Sequence, residues 1–182
     1  MIDYEGIVSR VAALKRDFPR MDPEEIIRTH GINLLRSPMG TSSSAIKGFI
    51  QKNNRCCTIV VNSDLSDWLV HKILFHEEGH FVLRHLELHR SAFLCDRDLS
   101  FRRDRTLEAR LENEANFFAA ECTLDTGETL EAIRSYDMKT AAQMLCVPVE
   151  FLDYKLRLLH RTGQLDRYDD VFGARSDCLH RI

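Results

Sequence analysis

The sequence feature that most constrains this chain is the motif H-E-x-x-H, formed by His76, Glu77 and His80. Residues four apart in an α-helix lie one turn above each other on one face, so the two imidazoles can converge on a single metal ion. Glu77 lies about 100° around the helix from His76, because a helix has about 3.6 residues per turn. Its carboxylate could therefore take a proton from a metal-bound water without binding the metal itself. The motif predicts a helix that carries a hydrolytic metal site.

The residues around the motif place both histidines on the buried face of that helix. Apolar residues and the two histidines alternate at spacings of four and three, the period of one helical face: Leu69, Ile73, His76, His80 and Leu83. The stripe predicts a helix from about Leu65 to Leu86, capped by residues 62–64. A single histidine on such a face is usually a hydrogen-bonded core residue, whereas two in register with a glutamate favour a ligand pair. Gly79, which lacks a Cβ, is predicted to lie where a second helix approaches.

A hydrolytic zinc site usually has three protein ligands and one position left open. The motif H-E-x-x-H-x-x-G-x-x-H would place the third ligand at position 86, which is Leu86, so this ligand must come from elsewhere. An acidic helix predicted from about Asp104 to Cys122 is the natural source. Glu112 and Glu114 both flank its buried stripe, and periodicity does not separate them. Asn116, one turn from Glu112, could support the residues that bind the metal.

Composition and charge restrict the class of protein. The chain has 182 residues, of which 44% are hydrophobic and 29% charged, which is typical of one globular domain with a small appendage. There is no run of 18 apolar residues and no signal-peptide pattern in residues 1–5, so no membrane contact is expected. The six cysteines form no C-x-x-C pair, which indicates a reduced, cytoplasmic protein. The net charge of −3 disfavours direct nucleic-acid binding.

We expect an α+β fold that is mostly helical, with a small antiparallel sheet beside the motif helix and a C-terminal helical segment. Residues 4–30 are predicted to form two helices. The second should begin at Asp22, because a capping aspartate followed by Pro23 is a strong start signal. Strands are predicted from their β-branched and apolar composition at 32–35, 45–50 and 57–61. An asparagine-containing turn at 51–55 should join the last two strands as a hairpin.

The predicted domain organisation has three parts: a core in 1–125, a helical segment in 126–162 packed on this core, and a tail in 163–182. Within the second part, residues 138–145 and 149–160 resemble a helix-turn-helix. A DNA-binding role would require basic residues on its second helix. That helix carries Lys155 and Arg157 but also two acidic residues, so packing against the core is the preferred interpretation.

The charged segment 87–105 is open to two interpretations, a solvated loop or a flap that gates the site or grips a partner. His85 and His89 are predicted to lie at a solvated helix end, with stabilisation of an oxyanion as the alternative. Cys95 within this segment could be an inhibitory metal ligand.

Two motifs in this order resemble the ImmA/IrrE family of bacterial and phage metallopeptidases, whose site is similar to that of the thermolysin-like gluzincins. The family has an H-E-x-x-H helix followed by a helix with E-x-x-A-[ND]-x-F-A, here residues 112–119. The resemblance extends over about residues 1–160. It implies a minimal zincin-like core with zinc ligands His76, His80 and Glu112, and Glu77 as general base. It favours Glu112 over Glu114, because the ligand opens the second motif.

The resemblance also implies a function. Members of the family cleave helix-turn-helix repressors and so release genes for mobile-element transfer or stress response. We therefore expect a zinc-dependent endopeptidase that cleaves a cytoplasmic repressor, with Mn²⁺ as an alternative to Zn²⁺. The family usually continues with L-L-x-P, where this chain has residues 121–125, so the wall beyond the site differs. The competing hypotheses are a zinc-containing module that binds a regulator without cutting it, and a DNA-binding regulator that uses residues 138–160.

Overall fold

The computed structural model describes residues 2–88, 93–95 and 106–165. The chain forms two compact units, Met1–Thr123 and Leu124–Ile182. The first unit contains α1 (Tyr4–Asp17), α2 (Pro23–Thr29), β1 (Asn33–Ser37), β2 (Gly48–Asn53), β3 (Cys56–Asn62), α3 (Asp67–Val82), α4 (His85–Leu88), β4 (Phe93–Cys95) and α5 (Leu107–Thr123). The second contains α6 (Thr126–Ser135), α7 (Met138–Met144) and α8 (Val149–Arg161). These elements confirm the predicted α+β class.

The sheet has the strand order β1-β3-β2-β4. Strands β2 and β3 form the predicted antiparallel hairpin, in which Ile50 lies opposite Ile59. Its turn contains Asn54 with a φ of 55°, a left-handed conformation that asparagine adopts more readily than most residues. The expectation of an antiparallel sheet was wrong for one pair, since β1 runs parallel to β3. The chain enters β2 in the direction opposite to β1, and the hairpin turn then reverses it again.

Helix α3 lies between the sheet and α5, with which it makes its most extensive contacts. The apolar residues of α3 belong to a hydrophobic cluster that also contains residues of the sheet and of α5. The buried members of this cluster are Ile27, Ile32, Ile50, Ile59, Val61, Val70, Ile73, Leu74 and Leu111. Every residue from Lys72 to His80 is buried, so this part of the helix is covered on all of its faces. The H-E-x-x-H residues are therefore held by packing from several directions.

The motif helix is shorter than the predicted span Leu65–Leu86. Helix α3 ends at Val82, and Arg84 adopts a positive φ of 63° before α4 begins at His85. A left-handed residue cannot continue a right-handed helix, so the chain turns at this point. Arginine is not a typical residue for such a position, so the sequence pattern does not reveal that the helix ends here.

The predicted cap in residues 62–64 was also wrong. The residue that precedes α3 is Ser66, whose side chain makes no capping hydrogen bond. Asn62 instead fixes the connection between β1 and β2, since its amide nitrogen donates to the carbonyls of Gly40 and Ile46 at 2.8 and 3.0 Å. Its side-chain oxygen accepts from the backbone of Met39. A buried asparagine thus satisfies loop backbone groups that no strand partner reaches.

Gly79 lies at the closest approach of α3 and α5, as predicted. A Cβ at this position would lie 3.0 Å from Phe118 Cδ1 and 3.3 Å from Ala115 Cα. These distances are shorter than ordinary van der Waals contact, so only glycine allows the two helices to pack at this separation. Because α3 and α5 both carry residues of the candidate site, Gly79 sets the distance across it.

Within residues 124–165 the second unit contains three helices, two of which begin at a capping aspartate. Asp125 and Asp137 accept hydrogen bonds from the first turns of α6 and α7. Cys146 has a φ of 53° in the turn between α7 and α8, which matches the predicted helix-turn-helix connection. Among the helices in residues 2–88 and 106–165, none is both long and apolar enough to cross a membrane.

Candidate metal centre

Three side chains from α3 and α5 bring their ligand atoms together. His76 Nε2 lies 3.2 Å from His80 Nε2. The carboxylate oxygens of Glu112 lie 3.4 Å from His76 Nε2 and 3.5 Å from His80 Nε2. All three residues are buried, with 3%, 0% and 8% of their surface exposed. In the part of the chain that the structure describes, this is the one group of three such residues close enough to hold a metal ion.

The separations between these atoms fit a metal of the size of zinc. Ligand atoms at about 2.0–2.2 Å from a tetrahedral zinc ion lie about 3.3–3.6 Å from one another. The two Nε2 atoms, 3.2 Å apart, are close to that range, and a different carboxylate oxygen of Glu112 faces each of them, Oε2 at 3.4 Å from His76 and Oε1 at 3.5 Å from His80. Two imidazoles and a carboxylate also match the donor set of hydrolytic zinc sites with one open position. The residues present therefore fit one metal ion.

Each histidine of this cluster is oriented by a second side chain. His76 Nδ1 lies 2.8 Å from Asn116 Oδ1. Because an amide oxygen only accepts, His76 carries its proton on Nδ1 and presents the Nε2 lone pair to the cluster. Asn116 thus lies where the sequence predicted a supporting residue. His80 Nδ1 lies 2.9 Å from His85 Nδ1.

The prediction that His85 lies at a solvated helix end was wrong. The side chain is 1% exposed and contacts His80. In an uninterrupted helix, His85 would lie about 140° around the axis from His80 and could not reach it. The turn at Arg84 brings the chain back over the end of α3 and makes this contact. Glu114, the alternative third ligand, lies 3.1 Å from His85 Nε2 and belongs to the surroundings of the cluster.

Glu77 points to a different side of α3 from the two histidines. It is fully buried, and a Cβ placed on Gly48 would lie 3.7 Å from its Oε1 atom. The carboxylate therefore lies beside the first residue of β2, at the border between the motif helix and the sheet. Within the motif, Glu77 is thus separate from the metal-ligand cluster but on the adjoining face of the helix, as a general base requires.

A comparison with known families supports this geometry. The family model of the IrrE N-terminal-like domain, Peptidase M78, matches residues 27–157. The chain belongs to this family. No curated protein sequence matches the chain at a significant level. The matched span includes the H-E-x-x-H motif, Glu112 and Asn116, so this IrrE-like domain is a peptidase domain whose buried cluster could bind a metal.

Electrostatics give the two histidines of this cluster in the IrrE-like domain different proton affinities. Burial, followed by the charges of His76 and His85, holds the pKa of His80 well below its ordinary value, so His80 is in the neutral form that binds metals. Burial also lowers the pKa of His76, but the hydrogen bond and the charge of Glu112 outweigh it and raise the pKa overall. A metal ion would therefore compete with a proton at His76.

The opposite face of α3 in this IrrE-like domain carries a second polar pair. Glu78 is fully buried and hydrogen-bonded to His30 Nδ1. Burial raises the pKa of Glu78, and the hydrogen bond to this carboxylate raises the pKa of His30. A cavity of about 550 Å³ is lined by His30, Phe81 and Arg84, and by none of the described residues of the metal centre. This cavity is therefore not the reaction site. This pair joins residues 48 positions apart, so no local sequence pattern predicts it.

Two further sequence predictions concern the segment between α4 and α5. His89 and most of the proposed flap lie outside the described residues. The same holds for the side chain of Cys95, so its assignment as an inhibitory ligand stays a prediction. The backbone of 93–95 forms β4, which pairs antiparallel with β2.

Proposed function

We propose that this IrrE-like domain is a zinc-dependent endopeptidase, with zinc held by His76, His80 and Glu112. The observation that carries the proposal is the convergence of three buried side chains, in which the two Nε2 atoms lie 3.2 Å apart and a carboxylate oxygen of Glu112 lies 3.4–3.5 Å from each of them, because donors so placed can reach one zinc ion. Zinc is preferred to manganese because first-row metals with such ligands follow an affinity order in which Mn²⁺ is the weakest.

Glu77 acts as the general base in this proposal. When bound, zinc supplies Lewis acidity and lowers the pKa of water to about 7. Glu77 takes the proton of the attacking water and then delivers it to the leaving amine. Its burial beside Gly48 restricts the carboxylate to one region of space, so little reorganisation is needed when the proton is transferred.

The proposed substrate is a cytoplasmic helix-turn-helix repressor, whose cleavage would relieve repression of mobile-element or stress genes. Membership of the IrrE-like family supports a regulatory substrate. Cys56 and Cys57 are free cysteines, which suits a reducing compartment such as the cytoplasm.

Direct DNA binding through α8 is disfavoured by the positions of its basic residues. Lys155 is fully buried, and its Nζ donates to Thr126 Oγ1 at 3.0 Å. Arg157 donates to Asp153 on the same helix at 2.7 Å. A buried lysine cannot contact a phosphate, and an arginine paired within its own helix is less available to do so.

The test of this function is the substitution Glu77→Gln. Glutamine keeps the size of the side chain but cannot accept the proton, so we expect cleavage of the repressor to slow by about 10²-fold or more. Zinc content should stay equal to that of the wild type, because Glu77 is not a ligand. The measurement is cleavage of purified candidate repressors encoded next to the gene, with metal content determined on the same samples.

Glu131→Gln on the exposed side of α6 is the matched control and should cleave at the wild-type rate. Equal cleavage by Glu77→Gln and wild type at equal zinc occupancy would remove Glu77 from the mechanism. If the wild type holds zinc but binds these repressors without cleaving them, the non-cleaving binding module is the better description.

A further inference from the structure

We propose that His85 and Glu114 form a positioning chain that fixes the metal-binding nitrogen of His80. This inference rests on the proposed metal site and assigns a role to two residues outside it. The positioning chain of hydrogen bonds runs from Glu114 on α5, through His85 on α4, to His80 on α3. Its two contacts are His85 Nε2 to Glu114 Oε2 at 3.1 Å and His80 Nδ1 to His85 Nδ1 at 2.9 Å.

The position of each proton in this chain follows from the metal site. His80 points its Nε2 atom at His76 and Glu112, so Nε2 must offer its lone pair to the metal. Neutral His80 then carries its proton on Nδ1, because an imidazole keeps one proton. His80 Nδ1 lies 2.9 Å from His85 Nδ1, so His80 donates this proton to His85 Nδ1, which acts as the acceptor. His85 therefore carries its own proton on Nε2 and donates it to the carboxylate of Glu114.

Within the positioning chain, Glu114 is the residue that decides the direction of both hydrogen bonds. A carboxylate accepts and does not donate, so it selects the tautomer of His85 in which Nδ1 is an acceptor. That tautomer in turn selects the metal-binding tautomer of His80. If His85 carried its proton on Nδ1 instead, it would compete with His80 for the same hydrogen bond and favour a proton on His80 Nε2, where the metal binds.

The surroundings hold the chain in place. His85 is 1% exposed, so bulk water does not replace its partners. Arg110 lies 3.8 Å from the other carboxylate oxygen of Glu114 and holds the group at one end. At the other end, the left-handed turn at Arg84 directs His85 back over α3. Asn116 thus orients His76 directly, whereas His80 is oriented by His85, which is itself held by Glu114.

The test compares zinc affinity in two pairs of variants. Glu114→Leu removes the acceptor, whereas Glu114→Gln keeps an oxygen that can accept from His85. His85→Phe removes the acceptor for His80, whereas His85→Asn places an amide oxygen close to the position of Nδ1. Loss of a side chain that orients a metal ligand typically costs 10- to 100-fold in metal affinity. We expect this loss in Glu114→Leu and His85→Phe, and affinities close to that of the wild type in Glu114→Gln and His85→Asn.

The measurements are competition of the full-length protein with a chromophoric zinc chelator, and the visible absorption spectrum of the cobalt-substituted protein. The spectrum reports the ligand geometry, which a general loss of stability would not change. Glu131→Leu on α6 is the control for replacing a glutamate by leucine and should bind zinc as the wild type does. Glu114 is at the edge of the site, with 15% of its side chain exposed. We therefore expect Glu114→Leu to fold even if His85→Phe does not.

Unchanged zinc affinity and an unchanged cobalt spectrum in Glu114→Leu would overturn the positioning chain alone. Equal losses in Glu114→Leu and Glu114→Gln would also overturn it, because the glutamine keeps the acceptor. If the wild type bound neither zinc nor cobalt, the proposed function would fail together with the chain. The two failures are therefore distinguishable without measuring proteolysis.

Discussion

Two glutamates only two residues apart serve the same site from different directions. Glu112 and Glu114 lie about 200° apart around α5, so one helix face cannot present both. Glu112 reaches His76 and His80 directly, whereas Glu114 reaches His85. The second contact exists because the turn after α3 brings His85 to Glu114.

At the residue scale, we expect Glu112→Gln to weaken zinc binding strongly and Glu114→Gln to leave it nearly unchanged. The first substitution removes a charged group that would bond directly to the metal. The second keeps an acceptor for His85 Nε2. The measurement is zinc affinity by competition with a chelator. Strong zinc binding by Glu112→Gln together with loss in Glu114→Gln would reverse the assignment of the third ligand.

These residues could be predicted from the sequence to the extent that their positions follow from local spacing along one helix. His76, Glu77 and His80 share one helix, so their spacing alone predicted a common site. Choosing between the two glutamates on α5 required the family motif, because both flank the buried stripe. The contact of His85 could not be predicted, because it depends on a left-handed residue that is neither glycine nor asparagine.

At the scale of elements, the site depends on the close packing of α3 and α5. A methyl group at Gly79 would meet Phe118 and the backbone of Ala115 at 3.0–3.3 Å. Backbone atoms cannot move aside as a flexible side chain can, so the helices themselves would have to separate. Glu112 would then move away from the two histidines on α3.

We therefore expect Gly79→Ala to lower both stability and zinc affinity. Overpacking typically costs about 1–3 kcal/mol, and the higher helix propensity of alanine offsets about 1 kcal/mol of this. The net loss of unfolding free energy should be about 0–2 kcal/mol, measured by urea denaturation of the metal-free protein. Zinc affinity should decrease in the same variant.

The same substitution at Gly127, an exposed position in α6, is the matched control. There a Cβ would lie 3.2 Å from Oδ1 of Asp125, the carboxylate that caps α6, so any cost falls on this cap and not on the packing of α3 against α5. Gly127→Ala should therefore leave zinc affinity unchanged. Zinc affinity in Gly79→Ala equal to that in Gly127→Ala would contradict the role of Gly79 in setting the distance between the two helices.

The elements that were predicted well carry local signals. Asp22 and Pro23 start α2, and Asn54 lies in the hairpin turn before β3. The strand order and the parallel pairing of β1 depend on contacts between distant segments, which no local pattern encodes. The side chain of Asn62 is a similar case, because its partners come from a loop more than 15 residues away.

At the scale of the whole molecule, the first unit assembles a polar site inside an apolar surround. The sheet covers one side of α3 and α5 covers another, while the candidate ligands His76 and Glu112 lie 36 residues apart in the sequence. The donor set therefore exists only when this unit is folded. Metal binding at this site would therefore be linked to folding, and a bound ion would stabilise the folded state by an amount that grows with its concentration.

The uninterrupted burial of residues 72–80 has a consequence for the rate at which α3 exchanges its amide hydrogens. A helix covered on every face has no local opening that admits water, so its amides exchange only when the unit unfolds as a whole. Those of the exposed edge strand β1 exchange through smaller fluctuations. Hydrogen–deuterium exchange should therefore show α3 as the slowest segment of the first unit, and zinc should slow it further by the factor that metal binding adds to the folding equilibrium. Zinc should have little effect on β1. Exchange in α3 as fast as in β1 would mean that the motif helix opens by itself.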